Sequence, residues 1–286
     1  MDLLSRTKYL IKQTGLAPDK LKGQNFCIDQ GVLEQMISAA SLSSKDTVLE
    51  VGPGFGFLTK GLIEKAKRVV AIELDQKLFA NLENMFEVSF SLEVINADIL
   101  KVRIEDLELG RYKIVANLPY GITSRFLKKF LASGNQPESM ALLLQREVAE
   151  RICASAGKMS LLAVSVQLYG QPEIVALVGP EAFYPSPKVD SAVIVIKKIR
   201  PFPFGKKIDE KKYWSTIKAG FCSKRKTLEN NLANSFHLPK TEVREKLQKA
   251  GLKSNIRAQE LTLEDWLRLA KLFHSRFVDS KEENLI

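Results

Sequence analysis

The sequence predicts an α/β fold in which a mostly parallel, doubly wound sheet is followed by a small helical region. Three observations favour it. Short apolar segments of strand-like composition alternate with helical segments between residues 47 and 170, at the spacing of βαβ units. Two extended segments, 172–179 and 188–199, then follow each other with a proline-rich connection, which is typical of an antiparallel pair. Beyond a breaker cluster at 200–207, the periodicity is helical.

The elements of the alternating part can be placed from their patterns. A helix is predicted at 29–42, where apolar side chains recur at helical spacing behind Asp29, a favourable N-cap residue. The elements that follow are, in order, a strand at 47–52, a helix at 57–66, a strand at 68–74, a helix at 75–86, strands at 91–98 and 113–119, a helix at about 124–131, a strand at 140–145 and helical segments at 147–155 and 160–170.

The breaker cluster also sets the domain boundary. We predict a basic N-terminal leader at 1–23, an α/β domain at 24–203 and a helical domain at 204–286. The last predicted helix, 262–277, begins at a threonine with an aspartate three residues further on, as in a capping box.

Composition excludes several classes of protein. The chain of 286 residues has three cysteines without a C-x-x-C pair, so no disulfide framework is predicted. Its two histidines both lie near the C-terminus, which disfavours a His-based triad or a His/Cys zinc site, and no metal is expected. The apolar runs are too short to cross a bilayer, and the N-terminus lacks a signal-peptide core. We expect a cytoplasmic monomer without a membrane partner.

The positive charge lies at the two ends of the chain. The formal net charge is +10; residues 1–23 hold 5 basic against 2 acidic residues, 24–204 hold 20 against 20, and 205–286 hold 18 against 11. A neutral middle between basic ends favours a polyanionic partner. A solvated basic surface without a partner is the alternative.

A Gly-rich loop follows the first strand of the alternating part. Residues 52–56 read GPGFG, and such a loop between a strand and a helix lets a cofactor approach the backbone, with Gly52 and Gly54 as candidate contacts. It is not a phosphate-binding P-loop, because no Gly-Lys-Ser/Thr follows, and Phe57 takes the sixth position of a dinucleotide fingerprint. A tight turn without a ligand is the alternative.

Acidic residues follow the next two strands. Glu73 ends the second strand, where a carboxylate can accept hydrogen bonds from both hydroxyls of a ribose. Asp98 follows the third strand, where an acceptor can bond the exocyclic amine of an adenine. Each acid alone is readily explained as a solvated loop residue. Because ligands of open parallel sheets bind at the carboxyl ends of the strands, the three strand ends together predict a cofactor that contains adenosine.

The fourth strand ends in the motif NLPY. Pro119 stops the strand because it has no N–H for the ladder. We expect the side-chain oxygen of Asn117 and a backbone carbonyl at Leu118 or Pro119 to accept hydrogen bonds from an exocyclic adenine amine. Tyr120 offers a ring on which the base can stack. Methyl transfer from a sulfonium needs neither histidine nor metal, so S-adenosylmethionine fits this site better than a nicotinamide.

Two further sets of residues are candidates for substrate contacts. Phe183, in a proline-stiffened loop, can supply a second stacking ring; Tyr184 is its competitor, and a place in the core is the structural alternative. Lys224, Arg225 and Lys226 directly precede a predicted helix and are candidates for phosphate contacts, with a solvated helix start as the alternative.

Eight motifs extend over nearly the whole chain, from about Lys20 to Phe273. They are GQNF (23–26), EVGPGFGFLT (50–59), IELD (72–75), NAD (96–98), NLPY (117–120), FYPSPKVDSAV (183–193), KRKTLENNL (224–232) and RAQELTLEDW (257–266). In combination they resemble the small-subunit ribosomal RNA adenine N6,N6-dimethyltransferase family. The resemblance implies a Rossmann-like S-adenosylmethionine-dependent methyltransferase domain, with a mostly parallel seven-stranded sheet, and a small all-α C-terminal RNA-binding domain.

The resemblance also implies an activity and a set of contacts. The expected reaction is dimethylation of two adjacent adenosines in the 3′-terminal hairpin of small-subunit (16S) rRNA within a pre-ribosomal particle, linked to small-subunit maturation. The implied cofactor contacts are Asn25, the backbone at Cys27, Gly52, Glu73, Asp98 and Asn117. Two positions depart from the family pattern. Cys27 replaces the usual leucine, and Glu229 stands at a site that is often basic, which we expect to weaken one RNA contact.

Two rival functions stay open. One is the resistance-type enzyme that methylates an adenine of large-subunit rRNA; the motifs FYPSPKV and RAQELTLEDW favour the small-subunit enzyme over it. The other is a ribosome-assembly RNA-binding factor in which catalysis is secondary. The intact Gly loop and NLPY motif favour retained catalysis.

Overall fold

The chain folds into two units. The structure, a computed structural model, describes residues 1–16, 18 and 24–274. Unit 1 comprises Met1–Cys153 and Ser165–Pro201, and unit 2 comprises Ala154–Val164 and Phe202–Ile286. Part of the predicted leader, the glycine of the GQNF motif and the end of the predicted helix 262–277 lie outside the described residues. In the part of the chain that the structure describes, no helix is long and apolar enough to cross a membrane.

Nine strands are found among the described residues. They are β1 (Phe26–Cys27), β2 (Thr47–Val51), β3 (Arg68–Glu73), β4 (Leu92–Asn96), β5 (Tyr112–Asn117), β6 (Met140–Gln145), β7 (Gln171–Val178), β8 (Phe183–Tyr184) and β9 (Ser191–Lys197). Seven of them form one sheet in the order β4-β3-β2-β5-β6-β9-β7. Strands β2 to β6 pair in parallel, and β9 runs antiparallel to both β6 and β7. The predicted mostly parallel sheet with an antiparallel pair at its end is confirmed.

The α-helices described in unit 1 are α1 (Leu3–Thr14), α2 (Gln30–Ala39), α3 (Phe57–Ile63), α4 (Gln76–Met85), α5 (Thr123–Leu131) and α6 (Arg146–Ile152). The next helix, α7 (Leu161–Gln167), begins among the residues of unit 2 and ends among those of unit 1. Side-chain caps explain where two of them start. Asp29 accepts a hydrogen bond from the Val32 N–H at 3.1 Å, as predicted, and Asp75 accepts one from the Lys77 N–H at 3.0 Å.

The central strands are buried on both faces. Leu49 in β2, Val115 in β5 and Leu142 in β6 are all fully buried. Helix α2 packs against β6 and β9, and α6 contacts β6, β7 and β9. This burial explains why these strands read as nearly continuous apolar segments instead of alternating ones.

A two-stranded sheet was not predicted. Strand β1 pairs antiparallel with β8, with Phe26 opposite Tyr184 and Cys27 opposite Phe183. The backbone N–H of Ile28 donates to the carbonyl of Ala182 at 2.8 Å and extends the contact. Strands of two residues carry no periodicity, so a sequence pattern cannot reveal them.

The first helix lies within the predicted leader. Asp2 caps α1 by accepting a hydrogen bond from the Ser5 N–H at 2.8 Å, and Gly15 ends it with a left-handed φ of 58°. Leu10 and Ile11 pack on a cluster that contains Phe26 and Phe55. The described residues of the leader therefore belong to unit 1.

Unit 2 is helical. Its long helices are α8 (Glu210–Gly220), α9 (Leu228–Phe236), α10 (Lys240–Lys249) and α11 (Leu263–His274). Trp266 of α11 is fully buried, and it packs so closely on Gly220 that an added Cβ would overlap its ring. The predicted cap of the last helix is confirmed, because the Asp265 N–H donates to Thr262 Oγ1 at 3.2 Å and the Thr262 N–H donates to the Asp265 carboxylate at 2.8 Å.

Candidate active site

A cavity opens at the carboxyl ends of β2, β3 and β5. The chain builds the sheet from β2 outward to β4 and then returns to place β5 on the other side of β2. Ligands of open α/β sheets bind at such a switch point. The cavity is lined by residues 24–27, 52–55, 73–75 and 117–120 and by Leu33, Glu50, Phe57, Leu58 and Leu78.

The Gly-rich loop turns with left-handed backbone angles. The φ angle is 69° at Gly52 and 60° at Gly54. A Cβ on Gly52 would lie 3.6 Å from the backbone oxygen of Asn117, and one on Gly54 would lie 3.1 Å from Cδ1 of Phe26. Because the two glycines have no side chains, the loop can approach the NLPY motif on one side and Phe26 of β1 on the other.

Glu73 holds the Gly-rich loop in place. Its Oε2 accepts a hydrogen bond from the Gly54 N–H at 3.1 Å, and its Oε1 accepts one from the Asp75 N–H at 2.9 Å. Burial raises the pKa of Glu73, and these two hydrogen bonds oppose the rise. Each carboxylate oxygen has a second lone pair, so the side chain can still accept hydrogen bonds from the hydroxyls of a ligand.

Glu50 in β2 was not singled out from the sequence. The side chain is fully buried and lines the cavity, and neither carboxyl oxygen has a hydrogen-bond partner among the described residues. Burial raises the pKa of Glu50 to about 8, and the negative charge of the Glu73 carboxylate adds to the rise. The hydroxyl of Thr59 is close enough to oppose the rise, although it does not form a hydrogen bond of good geometry with Glu50. A buried polar group without a partner requires an explanation, and a ligand in this cavity provides one.

The NLPY corner, residues 117–120, uses some of its polar groups to hold its shape. The side-chain Nδ2 of Asn117 donates to the carbonyl of Asn25 at 3.3 Å, which leaves the side-chain oxygen as an acceptor. The Leu118 N–H donates to the Leu143 carbonyl, and the Pro119 carbonyl accepts from the Ile122 N–H at 3.2 Å. No hydrogen bond from a described residue reaches the Leu118 carbonyl. Of the two carbonyls considered from the sequence, that of Leu118 is therefore the better candidate.

Tyr120 is held by its hydroxyl group. The phenol oxygen lies 3.1 Å from Oγ of Ser191, which is fully buried at the start of β9. Burial raises the pKa of Tyr120, and the hydrogen bond with Ser191 opposes the rise. The ring itself is half-buried and lines the cavity, so a fixed aromatic face is present there.

Two predicted site residues are not brought to the cavity. Asp98 lies beyond β4, at the edge of the sheet, and its Oδ1 accepts a hydrogen bond from the Leu100 N–H at 2.9 Å, which holds the following turn. The ring of Phe183 is 3% exposed and belongs to a core cluster with Cys27. Tyr184 is half-buried, and Nζ of Lys8 lies 5.6 Å from its ring centroid. The roles of Asp98 and of the second stacking ring stay predictions.

Cys27 occupies an apolar position. Its side chain is 6% exposed, and burial raises the pKa of the thiol to about 11. The thiol therefore stays neutral and packs as a small apolar group. Cys27 lines the cavity together with its neighbours Asn25 and Phe26.

The basic candidates of unit 2 lie on the surface. Lys224, Arg225 and Lys226 are exposed in the turn before α9. Glu229, the departure from the family pattern, is 7% exposed and accepts hydrogen bonds from Nε and Nη2 of Arg244 at 3.1 and 3.0 Å. This two-pronged ion pair joins α9 to α10, so Glu229 has a structural role within unit 2.

Comparisons with known proteins identify the family of this chain. A family model described as ribosomal RNA adenine dimethylase matches residues 19–275. A ribosomal RNA small subunit methyltransferase A from Dehalococcoides mccartyi (strain CBDB1) is 42% identical over 270 residues, which are 93% of this chain and 92% of the relative.

Two solved structures are similar to this chain. A dimethyladenosine transferase from Plasmodium falciparum matches with a TM-score of 0.72 and 25% identity, over 85% of this chain and 95% of its own. The 23S rRNA methyltransferase ErmE matches with a TM-score of 0.70 and 28% identity, over 88% of this chain and all of its own, 100%. The family match includes the Gly-rich loop, the NLPY corner and the helices of unit 2. The chain therefore belongs to the ribosomal RNA adenine dimethylase family and is a Rossmann-like methyltransferase that uses S-adenosylmethionine.

Proposed function

We propose that this chain dimethylates the N6 amines of two adjacent adenosines in the 3′-terminal hairpin of small-subunit (16S) rRNA. The observation that supports it best is the NLPY corner. Two acceptors there, the Asn117 side-chain oxygen and the Leu118 carbonyl, accept no hydrogen bond from any described residue. They stand beside the Gly-rich loop, where Gly52 approaches the Asn117 backbone. The relative named as a small subunit methyltransferase supports the choice of rRNA.

The cavity suits a cofactor with a positive charge and a ribose. S-adenosylmethionine, when bound, supplies a methyl group attached to a positively charged sulfur. In this proposal Glu73, which lines the cavity, accepts hydrogen bonds from ribose hydroxyls, and Glu50 offers a carboxyl whose ionised form a cationic ligand favours. Phe26, Phe55 and Leu78 provide an apolar wall that shields the site from water.

The NLPY corner prepares the amine. The lone pair of an adenine amine is delocalised into the ring, which makes the nitrogen a weak nucleophile. Hydrogen bonds from the two N–H groups to Asn117 Oδ1 and to the Leu118 carbonyl favour a more pyramidal nitrogen with its lone pair available. Each transfer forms one N–C bond as the donor's S–CH3 bond breaks, with that bond's electron pair left on the sulfur, and one proton passes from the amine to solvent. After the first methylation one N–H is left, so one acceptor suffices for the second transfer.

Tyr120 positions the base. Its ring is fixed by the contact between its hydroxyl group and Ser191, so it can stack on an adenine without first being ordered. An adenine must leave its helical stack to reach such a pocket, and unstacking costs free energy. Stacking on an aromatic ring offsets part of this cost. Phe183 or Tyr184 supplies the opposite ring in this proposal.

We further propose that residues 24–203 form the methyltransferase domain and 204–286 an RNA-binding domain. The exposed cations Lys224, Arg225 and Lys226 then contact phosphates. The substrate is presented within a pre-ribosomal particle, and the protein acts as a cytoplasmic monomer. The basic C-terminal region, with 18 basic against 11 acidic residues in 205–286, supports the RNA contact.

An assay with labelled S-adenosylmethionine tests the proposal. The full chain is incubated with under-methylated small subunits, with naked small-subunit rRNA and with large-subunit rRNA, and the digested RNA is analysed for dimethyladenosine. We expect product from the small subunits. Product from large-subunit rRNA alone would establish the rival function that the similarity to ErmE favours. RNA binding without any methylated product would support the other rival function, a ribosome-assembly RNA-binding factor.

A further inference from the structure

Helix α1 presents two lysines and a tyrosine on one face. Lys8, Tyr9 and Lys12 lie within one turn of each other on the surface, and Tyr9 is 53% exposed. No described acidic residue forms an ion pair with Lys8 or Lys12. Asp2, the acid at the start of the helix, is already used as its N-cap. We call Lys8, Tyr9 and Lys12 the α1 face.

The opposite side of α1 is anchored to the wall of the cavity. Leu10 and Ile11 pack on a cluster of Leu16, Phe26, Phe55 and Leu78, and the last three of these line the cavity. At the end of the helix, Nζ of Lys77 donates to the Gly15 carbonyl at 2.8 Å. The α1 face is therefore held in a fixed position relative to the methyltransferase site.

The α1 face also lies next to a candidate base-stacking residue. Nζ of Lys8 is 5.6 Å from the ring centroid of Tyr184. Tyr184 lies in β8 directly opposite Phe26 of β1, which lines the cavity. A cation and an exposed aromatic ring at the edge of a site are the groups that hold single-stranded RNA, since the cation contacts the phosphate and the ring stacks on a base.

We propose that the α1 face is an RNA-binding surface that holds the nucleotides flanking the adenosine being methylated. This inference rests on the proposed function for the identity of the RNA. Lys8 and Lys12 contact phosphates, and Tyr9 stacks on an unpaired base. The contact belongs to unit 1, whereas Lys224, Arg225 and Lys226, the basic residues assigned to RNA above, belong to unit 2.

RNA binding by variants of the full chain tests the α1 face. Affinity for a labelled RNA with the 3′-terminal hairpin is measured at several salt concentrations, with S-adenosylmethionine saturating. We expect Tyr9→Ala to weaken binding by about tenfold and Tyr9→Phe to retain it, because the ring stacks in both Tyr and Phe. Lys8→Gln with Lys12→Gln is expected to reduce the slope of log K against log salt by about 0.7–0.9 for each lysine.

A matched control removes two lysines elsewhere in unit 1. Lys45 and Lys65 are exposed and precede β2 and β3, so they lie at the amino ends of the strands, opposite the cavity. Lys45→Gln with Lys65→Gln is expected to leave RNA affinity within about twofold. If the α1 variants match this control, the α1 face does not bind RNA. A loss of RNA affinity with an equal loss of S-adenosylmethionine affinity also overturns the inference, because α1 then acts only through the cavity wall.

The proposed function can fail separately. RNA affinity is measured without catalysis, so a wild-type chain that binds the hairpin and makes no dimethyladenosine would overturn the function and leave the α1 face open to the same binding measurement. A wild-type chain that methylates the RNA, with α1 variants that bind as tightly as the control, would overturn only the inference.

Discussion

The two sides of the cavity divide their polar groups in the same way, between groups that hydrogen-bond the backbone and groups that accept no hydrogen bond from a described residue. On the cofactor side, Glu73 accepts one backbone hydrogen bond from Gly54 of the Gly-rich loop and one from Asp75, whereas the neighbouring Glu50 accepts none from a described residue. At the NLPY corner, the same division occurs within a few residues. The Asn117 amide nitrogen and the Pro119 carbonyl hold the backbone, and the Asn117 oxygen accepts no hydrogen bond from a described residue. In both places, groups that fix the backbone lie beside groups that accept no hydrogen bond from a described residue.

The largest effect is expected at the NLPY corner. Asn117→Ala removes the acceptor for the amine, and we expect kcat to fall by about 100-fold or more, as for the loss of one oriented hydrogen bond in other active sites. The affinity for S-adenosylmethionine should change by only a fewfold if the two sides act separately. Single-turnover methylation and calorimetric titration of the cofactor measure the two quantities.

Stability measurements serve as the control for Asn117→Ala. The variant also loses the hydrogen bond to the Asn25 carbonyl, so the free energy of unfolding should decrease by about 1 kcal/mol. An unchanged methylation rate would refute the role of Asn117 in the reaction. A loss of activity that follows only the unfolded fraction would mean that the residue serves the fold alone.

Glu50→Gln tests the unpaired acid of the cofactor side. A neutral amide cannot pair with a cationic ligand, so we expect the affinity for S-adenosylmethionine at pH 8 to fall by about tenfold. In the wild type this affinity should rise with pH up to about 8, because the ionised form of Glu50 is then available. The variant should lose that pH dependence. A wild type and a variant with the same pH profile would contradict the assignment.

The same substitution changes the pH dependence of folding. The pKa of Glu50 is raised from 4.5 to about 8 in the fold, so between these values the unfolded chain releases a proton that the folded chain retains. The free energy of unfolding should therefore fall as the pH rises from about 4.5 to 8, at up to about 1.4 kcal/mol per pH unit from this group. Glu73, whose pKa is also raised, acts in the same direction, and the difference between wild type and variant isolates Glu50.

A smaller effect is expected for the backbone of the Gly-rich loop. Gly54→Ala places a Cβ 3.1 Å from Phe26 at a left-handed φ of 60°, and we expect the unfolding free energy to decrease by about 1–3 kcal/mol. Gly110→Ala is a matched control, because its φ is also 60° but no atom lies within 4 Å of the added Cβ. Chemical denaturation compares them. Equal losses would show that the contact with Phe26 contributes nothing.

The smallest effect is expected for Tyr120→Phe. The substitution removes the contact of the hydroxyl with Ser191 and retains the ring, so the unfolding free energy should decrease by about 1 kcal/mol and kcat should change by only a fewfold. Tyr120→Ala, in contrast, should raise the KM for RNA by about tenfold through the loss of stacking. If Tyr120→Phe were as damaging as Tyr120→Ala, the hydroxyl and not the ring would be the important group.

The sequence predicted the residues that lie at strand ends. Gly52, Glu73 and Asn117 could be placed together because the carboxyl ends of parallel strands meet at one edge of the sheet. Asp98 also follows a strand, but β4 is the edge strand of the sheet, and Oδ1 of Asp98 accepts a hydrogen bond from the following turn. The order of the strands, which sequence periodicity cannot supply, sets the position of Asp98, and its contact with an adenine stays a prediction.

Residues inside elements or in very short strands could not be predicted. From the sequence alone, an acid within a strand is expected to face solvent. Glu50 is fully buried because the central strands of this sheet are covered on both faces. The pairing of β1 with β8 joins two segments far apart in the chain, with too few residues to form a pattern. Helix α1 has recognisable end signals in Asp2 and Gly15, but the leader was predicted from its charge alone and no helix was predicted within it.

The small sheet of β1 and β8 joins the wall of the cofactor cavity to the two candidate stacking rings. Phe26 and Cys27 line the cofactor cavity, and their partners Tyr184 and Phe183 are the candidate rings for the target base. A ligand that orders one strand lowers the conformational entropy that the other strand must still lose. Cofactor and RNA should therefore bind cooperatively, so that the RNA is held most firmly by a protein already loaded with its methyl donor.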